Sequence, residues 1–246
     1  MAIKSLGQNW LRNREILDEI AALAGEGGLC VEIGPGLGTL TSSLLRRFDK
    51  VIAIELDKKL AKNLPKSFPG KNLEVVNEDV LKYDFNSFDE SYVVAGNIPY
   101  YITSPIIKRV LELKNKPIRV VLLMQKEVAE RITDEKETVL SLLVKNYAKV
   151  CTGPVVDKAE FTPEPKVDSQ VVVMEPFKEP LVNERVFDLI RQGFKAPRKK
   201  LVHNLAGLKS KEELEKVLEK CGISRDARPG DVNLEKWAAL YRYIVL

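Results

Sequence analysis

The strongest constraint on the fold is a series of five short apolar runs: GLCVEIG (28–34), VIAIEL (51–56), LEVVNED (73–79), YVVAGN (92–97) and RVVLLMQ (119–125). Each is rich in β-branched residues and nearly continuous in apolar character, and turn signals or helical patterns separate one from the next. That is how strands of a parallel sheet read when helices cover both faces. LTSSLLRRF (40–48) and SPIIKRVLEL (104–113) supply crossover helices, and an amphipathic helix around Arg14 to Ala24 precedes the first strand. TVLSLLVKNYA (138–148) predicts a further helix, with KVCTGPVV (149–156) and SQVVVMEP (169–176) as later strands. The body is a doubly wound α/β domain.

Past Glu175-Pro176-Phe177-Lys178-Glu179-Pro180 the pattern becomes purely helical. ERVFDLIRQGF, the segment from Lys199 to Leu208, KEELEKVLEKCG and LEKWAALYRYI all space their apolar residues as helices do. The expected division is therefore 1–180 for the α/β domain and 181–246 for a small all-helical domain.

Composition excludes several classes. No stretch reaches the roughly 18 apolar residues a membrane span needs, and the opening MAIKSLGQNWLRNREILDEI resembles no signal or transit peptide. Cys30, Cys151 and Cys221 are odd in number and far apart, so neither a disulfide framework nor a zinc knuckle follows. The single histidine, His203, argues against a histidine-based metal centre. No metal is expected, a cytoplasmic location is, and nothing asks for more than a monomer. The net charge of +4 is unevenly spread: from Asn183 onward there are 14 Lys and Arg against 9 Asp and Glu, leaving a near-neutral body. A basic C-terminal third suggests a polyanionic partner.

Glu32-Ile33-Gly34-Pro35-Gly36-Leu37-Gly38 follows the first strand and opens a helix. Gly34, Gly36 and Gly38 let the backbone turn tightly and approach a ligand closely. Glu55, at the end of the second strand, can accept both hydroxyls of a ribose. Asp79, ending the third, can accept from an adenine amine, and Val80 beside it can pack on the ring. A dinucleotide would also favour such a helix N-terminus. Acidic Glu32 would repel its phosphate, however, and an NAD site has no need of Asp79. The set points to S-adenosylmethionine, with Leu56 beside Glu55 counted among the cofactor contacts.

Asn97-Ile98-Pro99-Tyr100 ends the fourth run, at the carboxyl edge where open α/β sheets bind ligands. An adenine 6-amino group is a poor nucleophile because its lone pair is delocalised into the ring. Accepting hydrogen bonds from its N–H groups draws the nitrogen toward tetrahedral geometry. The Asn97 side-chain oxygen and the Ile98 carbonyl are suitable acceptors. Pro99 fixes the turn without a competing N–H, and Tyr100 can stack on the base. A paired base cannot reach the methyl group, so the target is unpaired or flipped out.

With these residues assembled, the chain resembles the ribosomal RNA adenine dimethyltransferases of the kasugamycin-resistance (KsgA) type over nearly its whole length. Gly7-Gln8-Asn9-Trp10-Leu11 looks like that family's opening motif, with Trp10 where Phe is more usual. The resemblance implies a Rossmann-like methyltransferase domain in which Gln8, Asn9 and Leu11 join Gly34, Glu55, Asp79 and Asn97 around the cofactor. Phe161-Thr162-Pro163-Glu164-Pro165-Lys166-Val167-Asp168-Ser169 is similar to the family's FxPxPxVxS segment. By that analogy Phe161 clamps the target base from the face opposite Tyr100.

The same fold serves macrolide-resistance enzymes that modify large-subunit RNA. Ser169 and the run from Phe194 to Leu205 resemble the small-subunit type more closely. The implied activity is dimethylation of two adjacent adenines in the hairpin loop near the 3′ end of small-subunit rRNA, on a partly assembled subunit. Lys195, Arg198, Lys199 and Lys200 are then expected to contact phosphates, which position the RNA without reading sequence. Two rival classes remain: a non-catalytic RNA-binding assembly factor, and an NAD-dependent oxidoreductase. The intact Asn97, Pro99, Tyr100, Glu55 and Asp79 speak against the first, and no hydride-transfer constellation supports the second.

Overall fold

The computed structural model describes residues 8–245, so Gly7 of the opening motif lies outside the described residues. In chain order the elements are β1 (Trp10–Leu11), α1 (Arg14–Ala24), β2 (Leu29–Ile33), α2 (Thr39–Leu44), β3 (Lys50–Ile54), α3 (Lys58–Asn63) and β4 (Leu73–Val76). There follow β5 (Tyr92–Asn97), α4 (Thr103–Leu111), β6 (Arg119–Gln125), α5 (Lys126–Thr133), α6 (Val139–Tyr147), β7 (Ala148–Val156), β8 (Phe161–Thr162) and β9 (Ser169–Pro176). The chain ends with α7 (Glu184–Gly193), α8 (Leu201–Asn204), α9 (Lys211–Lys220) and α10 (Leu234–Val245).

Two compact units emerge. One runs up to Glu130 and takes in Lys149–Pro176; the other comprises Arg131–Ala148 and the residues from Phe177 onward. The first is built on a seven-stranded sheet of order β4-β3-β2-β5-β6-β9-β7. The pairs from β4 through β6 are parallel, as the apolar runs predict. β9 is antiparallel to β6, so the sheet is mixed rather than parallel throughout. All five residues of β2 are buried, which suits a central strand covered on both faces. α1 starts where the Asn13 side chain accepts from the Glu15 and Ile16 amides. Leu17, Ile20, Ala21 and Ala24 then recur on one side of the helix and pack into the core.

Strand order decides where a site can lie. From β2 the chain winds outward through β3 to β4, then returns to place β5 on the other flank of β2. The crevice beyond the carboxyl ends of β2 and β5 is thus a topological switch point, where such sheets bind ligands. Gly34 follows β2 there, and Asn97 ends β5.

The second unit is helical and centred on Trp237, which is fully buried with Phe187, Ile190, Leu201, Leu214 and Leu240 around it. Leu142 and Leu143 of α6 belong to this same cluster. The compact units therefore differ from the division expected at residue 181, because α6 buries its apolar face in the helical core although three strands follow it in sequence. The expected helix over Lys199–Leu208 is only the single turn of α8, Leu201–Asn204.

Candidate active site

A cleft enclosing about 920 Å³ of empty space, part of it open to solvent, lies at the switch point. Of the residues expected to hold a cofactor, Gln8, Asn9, Gly34, Gly36, Glu55, Leu56, Asp79, Val80 and Asn97 line it, and so do Ile98, Pro99 and Tyr100 of the catalytic loop. Gly34 donates its N–H to the Ile54 carbonyl at 2.9 Å, tying the glycine loop to the end of β3. Gly36 has φ +58°, and a Cβ on it would come within 2.9 Å of the Trp10 indole Nε1. The loop therefore needs glycine at that position for its handedness and for its fit against Trp10.

Gly38 and Leu11, also expected at the cofactor, are not on this lining. Gly38 caps α2 in the left-handed region, and a Cβ there would sit 2.6 Å from Leu64 Cδ1. It packs helix against chain, as the third glycine of such loops does. Leu11 is fully buried in the core and does not line the cleft.

The carboxylates divide the labour. Glu55 is 6% exposed; its Oε2 accepts from the Gly36 amide at 3.0 Å and its Oε1 from the Asp57 amide at 2.8 Å. A carboxylate has about four acceptor positions, so capacity remains for two ribose hydroxyls. Burial raises the Glu55 pKa above the usual carboxylate range although these backbone amides oppose it. Asp79 Oδ1 accepts from the Leu81 amide at 3.0 Å, which orients the side chain at the cleft wall. Glu32 lies at the bottom, 1% exposed, accepting from Thr41 Oγ1 at 2.6 Å. Burial pushes its pKa up to about 8, and the neighbouring Glu55 charge adds to the shift.

Asn97 is the pivot of the catalytic loop. Its Nδ2 donates to the Asn9 carbonyl at 3.1 Å, which turns the amide so that Oδ1 remains an acceptor for an incoming amine. The Ile98 amide donates to the Leu123 carbonyl at 3.2 Å, and its side chain is 1% exposed, so the backbone of the loop is pinned to β6. Among the described residues no hydrogen bond ends on the Ile98 carbonyl. Tyr100 shares a 2.8 Å hydrogen bond between its hydroxyl and Ser169 Oγ, the latter fully buried at the start of β9. Burial raises the Tyr100 pKa, so the phenol stays protonated.

Phe161, expected to clamp the target base opposite Tyr100, lies away from the cleft lining. That side chain is 4% exposed and packs in the sheet core. β1 and β8 form an antiparallel ribbon in register Leu11↔Phe161 and Trp10↔Thr162. Directly paired residues share a face, so Phe161 goes inward with Leu11, while Trp10 of the opposite face reaches the cleft. Sequence reasoning also missed Glu78, Trp10 and Tyr101, all on the lining. Tyr101 had a legible signal, a second aromatic directly after the catalytic loop.

The expected phosphate contacts Lys195, Arg198, Lys199 and Lys200 are all exposed, in the turns between α7 and α8. Arg198, Lys199 and Lys200 line a surface groove with His203, Arg228 and Asp226, and Lys195 does not. Lys200 is ion-paired to Asp226. His203 lies just three residues beyond Lys200, whereas only the fold brings Arg228 to that groove.

Among the described residues, the lining of the cleft holds four acidic side chains, Glu32, Glu55, Glu78 and Asp79, and no Lys or Arg. Such a site repels a pyrophosphate and suits a nucleoside bearing a positive charge. Glycines beside the ligand path, acceptors for ribose and adenine, and an Asn-Ile-Pro-Tyr loop at the switch point define a Rossmann-like methyltransferase.

Comparison narrows the class. The ribosomal RNA adenine dimethylase family model matches residues 2–245. The chain is 36% identical to the ribosomal RNA small subunit methyltransferase A of Bacillus cytotoxicus, covering 98% of this chain and 91% of that protein. It is also 36% identical to the Clostridium acetobutylicum protein of the same name, over 96% and 91% of the two chains. Among solved structures, a dimethyladenosine transferase from Plasmodium falciparum superposes with TM-score 0.80 at 30% identity, covering 94% and 96% of the chains. The 23S rRNA methyltransferase ErmE gives 0.79 at 28% identity, over 96% and 100%. The chain belongs to the ribosomal RNA adenine dimethylase family, whose members are S-adenosylmethionine-dependent methyltransferases.

Proposed function

We propose that this protein uses S-adenosylmethionine to dimethylate the 6-amino groups of two adjacent adenines in the hairpin loop near the 3′ end of small-subunit rRNA, acting in the cytoplasm on a partly assembled subunit. The observation that carries the reading is the orientation of Asn97: its amide nitrogen is committed to the Asn9 carbonyl, so its oxygen is left to accept from an amine. The small-subunit choice draws on the names of the relatives in Bacillus cytotoxicus and Clostridium acetobutylicum.

The cofactor contributes an electrophilic methyl group. Glu55 would hold the ribose, Asp79 and Val80 would hold the adenine ring, and Glu32 would accept a hydrogen bond from the cofactor's amino group. The target adenine, out of its helix, donates its two amine hydrogens to Asn97 Oδ1 and the Ile98 carbonyl. Held by these two acceptors, the nitrogen has its lone pair free for methylation, and the proton lost from the methylated amine passes to solvent. No general base is needed, because the alkylated amine is strongly acidic until it loses that proton. Most of the acceleration comes from alignment, which can contribute about 7–11 kcal/mol in favourable cases. Tyr100, fixed by Ser169, offers its ring to the target base.

Incubation with labelled cofactor of undermethylated small subunits and, separately, of large-subunit RNA tests the reading. Label is expected in the small subunit alone; label confined to large-subunit RNA overturns the assignment in favour of the macrolide-resistance activity. Asn97→Ala is expected to abolish transfer while subunit binding persists, and undiminished turnover would refute the role given to Asn97.

A further inference from the structure

Tyr101 is the one large aromatic side chain on the described cleft lining that faces mainly solvent. It is 57% exposed, whereas Tyr100 is half-buried and bonded to Ser169, and Trp10 packs over the Gly36 backbone. Among the described residues the Tyr101 hydroxyl has no hydrogen-bond partner. An exposed ring with an unbonded hydroxyl contributes little to the free protein, so its place at the mouth of the cleft calls for a ligand.

Backbone geometry separates it from Tyr100. Tyr100–Ile102 form a 3₁₀ turn, closed by the Ile102 amide donating to the Pro99 carbonyl at 3.2 Å. Successive residues of such a turn diverge by about 120°. Tyr101 therefore cannot share a base face with Tyr100, and presents its ring to whatever lies just outside the cleft. A base extruded into an active site leaves its neighbour without a stacking partner on one side. An aromatic ring at the mouth can replace that partner whatever the base identity.

We propose that Tyr101 is a substrate-positioning residue that stacks on the unpaired nucleobase flanking the target adenine, holding the RNA strand while Tyr100 and Asn97 hold the target. The inference rests on the RNA-methylating function proposed above. Losing the stack weakens RNA engagement by about fivefold or more. The chemical step, made by Asn97 and Ile98, is left nearly intact.

The test compares wild type, Tyr101→Phe and Tyr101→Ala with substrate RNA carrying 2-aminopurine in turn on each side of the target. Wild type and Tyr101→Phe are expected to quench the probe at one flanking position. Tyr101→Ala is expected to lose that quenching and to raise KM for RNA fivefold or more, with kcat within about twofold and S-adenosylmethionine affinity unchanged by calorimetry. Equal quenching and equal KM in all three proteins would overturn the proposal, and so would Phe behaving like Ala, which would assign the role to the hydroxyl. Failure of the wild type to methylate adenine in RNA would instead overturn the function on which the proposal rests.

Discussion

Glu32 is a buried carboxyl group whose proton is held by its surroundings. It is 1% exposed, accepts from Thr41 Oγ1 and lies near Glu55, so burial and the neighbouring charge raise its pKa from 4.5 to about 8. In the unfolded chain the same group ionises near 4.5. Between about pH 5 and pH 8 the folded protein therefore keeps a proton that the unfolded chain gives up. Stability contributed by this group is full below pH 4.5 and falls as pH rises to about 8, by up to about 1.4 kcal/mol per pH unit. Thermal melts of the ligand-free protein across that range are expected to show Tm declining with pH. Glu32→Gln keeps an acceptor for Thr41 and is expected to flatten the slope; an equally steep decline in the variant would contradict the assignment.

At the scale of elements, the β1–β8 ribbon links the opening motif to the proline-rich segment far along the chain. It pairs only two residues on each strand, and the Arg12 amide donating to the Glu160 carbonyl at 3.1 Å extends it. Its inward pair, Leu11 and Phe161, fills the core, while Trp10 on the other face packs on Gly36 and lines the cleft. Leu11→Ala is expected to cost about 2–5 kcal/mol of stability through the cavity it leaves, read as a lower midpoint in denaturant melts. Leu11→Met, close in volume, is expected to cost less than about 1.5 kcal/mol. If Leu11 instead touched the cofactor, S-adenosylmethionine affinity would fall in both variants without such a difference in stability. Gly36→Ala acts on the same junction. Its positive φ and its approach to Trp10 disfavour a side chain, so calorimetry is expected to show cofactor affinity reduced by at least about tenfold, or about 1.4 kcal/mol.

At the scale of the molecule, charge is divided between a near-neutral body and a basic C-terminal third. Arg198, Lys199, His203 and Arg228 share a groove in the helical unit, where Lys200 is already matched by Asp226. Phosphate contacts release counterions, and each lowers the slope of log affinity against log salt by about 0.7–0.9. Neutralising Lys195, Arg198, Lys199 and Lys200 together is expected to flatten that slope by about two to three units, with Lys200→Gln alone contributing least. An unchanged slope would remove these residues from the RNA contacts.

The order of elements and the loops that carry chemistry were legible in the chain because their signals are local. A buried parallel strand must be apolar on both faces, a tight ligand turn needs glycine at positive φ, and Asn97-Ile98-Pro99-Tyr100 is contiguous. Gly34, Glu55, Asp79 and Asn97 accordingly lie where strand-end spacing puts them. The rest depended on partners distant in sequence. Which face of Phe161 is buried was decided by its pairing with Leu11, some 150 residues away. The membership of α6 was decided by where its leucines find other apolar surface, and the neutralisation of Lys200 by where Asp226 comes to rest. Sequence alone determined which loops make the site. Tertiary packing decided which side chains reach it, because burial assigns each residue one face and only the assembled core says which face is inside.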